Sequence, residues 1–138
     1  MAQDRQTFQR LAEERLSEAR LLLAHGHPSG AYYLAGYAIE CALKAKIAKG
    51  FRADEIPDLR RVRDIYTHNL GELLSIAGLK VTLESEIEIS TDLKKRWTIA
   101  KDWSEHARYE IWTEDHASAM LDAIDGEKGL LRWLLSRL

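Results

Sequence analysis

The amino-acid sequence predicts an all-α fold, an up-and-down bundle of four to five helices forming one domain over residues 1–138. Three observations predict it. Apolar residues recur at spacings of three and four through most of the chain, which gathers them on one helix face. Capping residues and glycines bracket those stretches. The one stretch that alternates like a strand, around Val81–Ile89, has no second strand to pair with, and a lone strand is unstable.

From Phe8 to Leu23, Phe8, Leu11, Ala12, Leu16, Ala19, Leu22 and Leu23 form a helical stripe, with Arg and Glu on the other face. Gly26 suits the position just past its end, and Pro28 cannot prolong it. A second helix spans roughly Ala31 to Lys49, on the stripe Ala31, Leu34, Ala35, Ala38, Ile39, Ala42 and Leu43. Its alanines and Gly36 keep that face thin, so a neighbouring helix can approach closely; Gly50 ends it. The first two segments read as an antiparallel hairpin.

Residues 51–67 carry Pro57 and the cluster Arg60, Arg61 and Arg63 with little periodicity, and read as a loop with at most one helical turn. Asn69 as N-cap, with Glu72 three residues on, opens a short third helix that Gly78 closes. Residues 80–90 read as loop or helical entry. Ser90 or Thr91 caps a fourth helix through Leu93, Trp97 and Ala100, and Thr113, followed by Glu114 and Asp115, opens the last. Ala117, Met120, Leu121, Ile124, Leu131, Leu134, Leu135 and Leu138 keep phase across Gly126 and Gly129. They therefore read as one long helix tolerating two exposed glycines, each at up to about 1 kcal/mol.

Composition narrows the function classes. The chain is 46% apolar, too much for a disordered tail, and its length sustains a core without covalent staples. The lone Cys41 forbids an internal disulfide and, beside the apolar stripe of the second helix, reads as packed. No apolar run reaches the roughly 18 residues of a membrane span, and the polar N-terminus lacks a secretory leader, so a cytoplasmic protein without membrane contact is expected. A net charge of −2 gives no global attraction to nucleic acid, which leaves local basic runs. These are Lys44, Lys46, Lys49 and Arg52, then Arg60, Arg61 and Arg63, then Lys94, Lys95, Arg96 and Lys101. Such runs are ordinarily solvated faces. The histidines lack zinc-site spacing, and no phosphate loop or dinucleotide fingerprint is present, so neither metal nor cofactor is expected.

Three blocks carry more information. They are Ala31-Tyr32-Tyr33-Leu34-Ala35-Gly36-Tyr37-Ala38-Ile39-Glu40-Cys41-Ala42-Leu43-Lys44-Ala45, Thr67-His68-Asn69-Leu70-Gly71-Glu72-Leu73-Leu74, and Ala107-Arg108-Tyr109-Glu110. In this order and separation the chain resembles the HEPN domain family from about Leu16 to Leu135. The resemblance implies a homodimeric helical bundle that binds a nucleotide, RNA or a protein partner, often one component of a toxin–antitoxin pair with a small nucleotidyltransferase. It also implies an alternative, a metal-independent endoribonuclease using an Arg and a His; a structural dimerisation module without ligand is a third reading.

For the nuclease, Arg63-Asp64-Ile65-Tyr66-Thr67-His68 fits the family's Arg-polar-x3-His spacing, although the family places that motif nearer Arg108. A His can take the ribose 2′-hydroxyl proton near neutral pH, and an Arg can hold the crowded phosphate with its planar donor fork. Arg108 with His106 or His116 departs from that spacing. The plain reading makes His68 a residue packing ahead of the third helix and Arg63 a solvated loop residue. For binding, the candidates are Arg108, Tyr109, Trp103 and Lys44. Trp103 and Trp112 flank Arg108 and either stack on a base or anchor a dimer interface. Trp97 and Trp133 fall in phase with helical stripes and read as core. Glu40 and Asn69 read as structural polar residues, Glu40 pairing with Lys44 at i,i+4 or reaching Arg108 across the bundle.

Overall fold

The computed structural model describes residues 4–51 and 66–138, with Ile56 and Arg63 between them. Arg52, Pro57, Arg60 and Arg61, and with them most of the expected 51–67 loop, lie outside the described residues. The fold is all-α, with seven α-helices and one 3-10 helix among the described residues. They are α1 (Arg5–Ala24), α2 (Pro28–Lys49), α3 (Leu70–Ile76), α4 (Lys80–Ile89), α5 (Thr91–Ala100), the 3-10 helix Glu105–Tyr109, α6 (Glu114–Ile124) and α7 (Leu130–Leu135).

Local chemistry sets most of the boundaries. Asp4 Oδ1 accepts from the Thr7 amide at 2.8 Å and starts α1. Gly26, at φ +83°, stops it, with the His27 amide donating to Leu22 O at 2.8 Å and the Gly26 amide to Leu23 O at 3.2 Å. Gly78 (φ +76°) closes α3 in the same way. Pro28 occupies the first turn of α2, where its missing N–H is no loss. Asn69, Ser90 and Thr113 cap α3, α5 and α6 through side-chain oxygens, as their positions in the sequence predict.

α2 is the axis of the bundle and packs against α1, α3, α6, α7 and the 3-10 helix. Ala31, Ala35, Ala38, Ile39, Ala42 and Leu43 are fully buried on it, meeting Ala12, Leu16 and Ala19 of α1 and Met120 and Ile124 of α6 in one core. The indole of Trp103 lies against Gly36. A Cβ there would lie 2.2 Å from Trp103 Cδ1, so the residue that thins the helix face admits the Trp103 ring rather than another helix.

Two expectations are corrected. Residues 80–89 are helical: Leu83 and Ile87, one turn apart, turn inward, whereas Val81 and Ile89 stand in solvent at 74% and 88% exposure. The alternation arises because half of the apolar set faces outward. The last helix is two helices. Asp125 is extended, Gly126 takes φ +87°, and a Cβ on buried Gly129 would fall 2.2 Å from Ile124 O. The glycines are requirements of a break, not tolerated passengers. Phase persists across it because α6 and α7 cover the same core. Arg20 of α1 holds the break with a two-pronged contact, its Nε donating to Asp125 Oδ2 at 2.7 Å and its Nη2 to Oδ1. At the other end Arg137 grips Glu86 of α4 through both carboxylate oxygens (2.9 and 2.8 Å) and lies 3.9 Å over the Trp133 ring.

Candidate functional site

The Tyr33, Tyr37 and Glu40 side chains, at i, i+4 and i+7, leave α2 on one face. They wall a cleft of about 360 Å³ completed by Leu34, Arg15 of α1, His68 at the entry to α3, and Glu105 and Arg108 of the 3-10 helix. Glu40 is the buried charged residue of the described chain, 2% exposed. Its oxygens are both used: Oε1 lies 2.9 Å from His68 Nδ1 and Oε2 3.3 Å from Lys44 Nζ. The other ring nitrogen of His68, Nε2, is 3.3 Å from Glu105 Oε2, so the imidazole sits between two carboxylates. Desolvation, with Cys41 and Glu40 adding to it, pushes the Tyr37 phenol above its usual range and keeps it neutral. Arg108 is exposed and lies 4.9 Å over the Tyr109 ring, and Tyr109 itself is 74% exposed at the rim.

Arg108 is carried on a mount of aromatic groups. Trp103, only 2% exposed, donates from Nε1 to Tyr33 O at 3.2 Å. Trp112 stacks on Tyr32 (centroids 3.8 Å apart, planes 15°) and donates from Nε1 to Ala107 O at 3.0 Å. The Trp112 amide in turn donates to Ser29 Oγ at 2.8 Å.

The structure brings some of the predicted residues together and separates others. Glu40, His68 and Arg108 share the cleft. Glu40 meets His68 and Lys44 rather than Arg108. Lys44, 15% exposed at its side chain, has its ammonium 3.3 Å from Glu40 Oε2 and does not line the cleft. Trp103 is buried and does not line the cleft either. Arg63 is exposed and is absent from the cleft lining that includes His68. His116 bonds to Thr113, edge-on to Trp112, and His106 is exposed; neither lines the cleft. Asn69 caps α3 with a relay in place of a direct box, since its amide donates to Thr67 Oγ1 and that hydroxyl donates to Glu72 Oε2 at 2.8 Å. Trp97 and Trp133 pack half-buried against the core.

Sequence reasoning missed Arg15 and Glu105 and did not single out Tyr33 and Tyr37 as site residues. The signal for the tyrosines is their i, i+4, i+7 alignment with Glu40; the other two become neighbours only through tertiary packing. A larger groove of about 680 Å³ runs between α1 and the α6–α7 break, but its Arg20 and Asp125 are spent on each other. The chemistry is concentrated in the smaller cleft. Among the described residues no group of His, Cys, Asp and Glu could hold a metal, and no helix is long and apolar enough to cross a membrane.

Fold and cleft together define a class: an α-helical bundle that displays arginines, tyrosines and a carboxylate-bound histidine at a seam between its first two helices and a 3-10 turn. The chain belongs to the HEPN family, whose domain model matches residues 6–135, nearly its whole length. No curated protein and no solved structure matches it.

Proposed function

We propose that this HEPN domain is a binding module for the phosphate of a nucleotide or of single-stranded RNA, taken up in the cleft of Arg15, Tyr33, Tyr37, His68 and Arg108. The observation that carries the reading is the placement of Arg108 beside Arg15 and His68 in one open cleft, with Tyr109 exposed on its rim. The volume falls in the range of small-ligand sites, roughly 300–1,000 Å³. Arg108 supplies a planar donor fork, and the tyrosine rings supply faces for a base.

A metal-independent endoribonuclease is the second reading, favoured by one observation: buried Glu40 orients His68 as a carboxylate orients a general base. Arg108, in place of Arg63, would then hold the phosphate. Binding is preferred because His68 Nε2, the nitrogen a general base would use, lies 3.3 Å from a second carboxylate, that of Glu105. A ligand-free dimerisation module does not account for the convergence of these groups.

The test is fluorescence polarisation with labelled single-stranded RNA and, separately, a labelled mononucleotide. Arg108→Ala should weaken binding about tenfold or more, the loss of a charge-assisted contact. Undiminished binding refutes the reading, and cleavage of the RNA by the parent with metal chelated promotes the second one. We also propose the homodimer, and the pairing with a nucleotidyltransferase as one component of a toxin–antitoxin pair. Exposed Tyr109 and Ile111 (95%) beside the cleft offer apolar area to a partner. Sedimentation of the parent and of Ile111→Asp checks the dimer.

A further inference from the structure

Resting on the binding reading, we infer that the cleft selects guanine nucleotides, with Glu105 reading the edge of the base while Arg108 holds the phosphate. Glu105 and Arg108 stand three residues apart in the 3-10 helix Glu105–Tyr109, and both line the cleft. Such a helix turns once in three residues, so the two side chains leave on the same face, about 6 Å apart along the axis. Opposite charges at that spacing can pair, yet these two form no ion pair. Arg108 lies over the Tyr109 ring at 4.9 Å. Glu105 Oε2 is 3.3 Å from His68 Nε2, an ion-pair distance, and among the described residues no hydrogen-bond donor is bound to either Glu105 oxygen. The cleft's other charges are occupied. Glu40 is 2% exposed, with Oε1 on His68 and Oε2 on Lys44, and Arg15 is engaged by Glu14 and Glu18. A half-exposed acceptor pair and a guanidinium are therefore displayed side by side, matched to a ligand that carries both a donor edge and an anion.

The carboxylate decides the base. It only accepts, through two oxygens side by side, so it favours an edge with two adjacent donors. Guanine has N1–H next to its N2 amino group on the Watson–Crick edge. Adenine and cytosine set one amino group beside a ring nitrogen that only accepts, and uracil sets N3–H between two carbonyls. Each of those three turns an acceptor toward the carboxylate, and a polar group left facing its like is where discrimination comes from. Tyr33 and Tyr37 supply surface for the ring. They are one turn apart on α2, half-buried, and line the cleft with rings 6.0 Å apart and tilted by 35°, so they do not stack on each other. Reading an unpaired base by an aromatic surface and its Watson–Crick edge is the usual way a protein recognises single-stranded RNA.

The test is a nitrogen-15 NMR titration of the full chain with the 5′-monophosphates of guanosine, adenosine, cytidine, uridine and inosine, the last lacking only the N2 amino group of guanosine. In the parent, the guanosine nucleotide should bind about tenfold more tightly than those of adenosine, cytidine and uridine, the worth of one bidentate contact. It should also bind several-fold more tightly than that of inosine. Glu105→Gln removes the paired acceptors and a negative charge beside the phosphate, so its effects have opposite signs. The guanosine nucleotide should lose its tenfold advantage, while those of adenosine, cytidine and uridine hold or gain; a merely structural role would weaken all five alike. Equal affinities for the five in a parent whose binding falls in Arg108→Ala would overturn the guanine selectivity and leave the binding reading standing. A guanosine preference undiminished in Glu105→Gln would overturn the role of Glu105. Failure of the parent to bind any of the five, or labelled single-stranded RNA, would refute the binding reading and the selectivity with it.

Discussion

Gly36→Ala tests the packing that positions the cleft, and the sign of its effect decides the matter. On an ordinary helix the change is stabilising, since Gly is about 1 kcal/mol worse than Ala in a helix interior. Here the new methyl would stand 2.2 Å from Trp103 Cδ1 and 2.3 Å from Cγ and Nε1, closer than real Cβ contacts come. The indole would have to retreat by about 1 Å or more to reach van der Waals contact. It is 2% exposed and hydrogen-bonded to Tyr33 O, so it has no free volume to enter and would give up that bond. Overpacking costs about 1–3 kcal/mol and the lost hydrogen bond about 1. Against the helix gain, the net is about 2 kcal/mol of destabilisation. For a domain of this size that lowers Tm by roughly 8 °C. Urea unfolding followed by far-UV circular dichroism, with a thermal scan beside it, measures both numbers. A Gly36→Ala protein more stable than the parent would refute the seating of Trp103 on α2, and with it the mount of the Arg108 segment.

Gly126→Ala follows the same logic through the backbone: φ +87° costs an L-residue about 1–2 kcal/mol, whereas a continuous helix would gain from the change, so the direction of the urea midpoint distinguishes broken from unbroken. Asp125 has its carboxyl held below the usual carboxylate range by the hydrogen bonds from Arg20. A depressed folded-state value contributes stability above about pH 4 that disappears as pH falls through it, so Asp125→Asn should flatten the acid limb of the stability profile; a limb as steep as the parent's contradicts the assignment. The Cys41 thiol, pushed up to about 12 chiefly by burial, should react with an aromatic disulfide reagent at pH 8 only as fast as the protein unfolds, and prompt labelling of the native protein would count against its burial.

Much of the fold was legible because its signals are local. Asp4, Asn69, Ser90 and Thr113 each bond to an amide three residues away, and Gly26 and Gly78 end helices through local backbone bonds. Gly26 and the three polar caps from Asn69 on could be placed from the letters alone. The break at Gly126 was hidden for the opposite reason. A glycine in a helix and a glycine breaking one look alike until Ile124 O is found where the Gly129 Cβ would be. Residues 80–89 misled because Val81 and Ile89 are left in water, so apolar letters did not mark buried positions.

The site was legible in part. Its central pair, Glu40 and His68, lies in two of the blocks that carried the family resemblance, and Arg108 in the third. What the letters could not show is which of their neighbours take part. The regular spacing from Arg63 to His68 suggested a local pair, yet His68 meets its partners from α2 and the 3-10 helix, and Arg63 stays outside the cleft. The tryptophans that bracket Arg108 suggested stacking surfaces or interface anchors. Trp103 bonds to Tyr33 O, and Trp112 bonds to Ala107 O while stacking on Tyr32 and donating its amide to Ser29 Oγ, so both flanks of a five-residue 3-10 helix are fastened to α2. A helix that short has little stiffness of its own, since runs beyond three or four residues are uncommon and poorly hydrogen-bonded. An arginine mounted on it can be aimed only if the mount is rigid. On the binding reading, Trp103 and Trp112 therefore act at one remove from the ligand, by aiming Arg108.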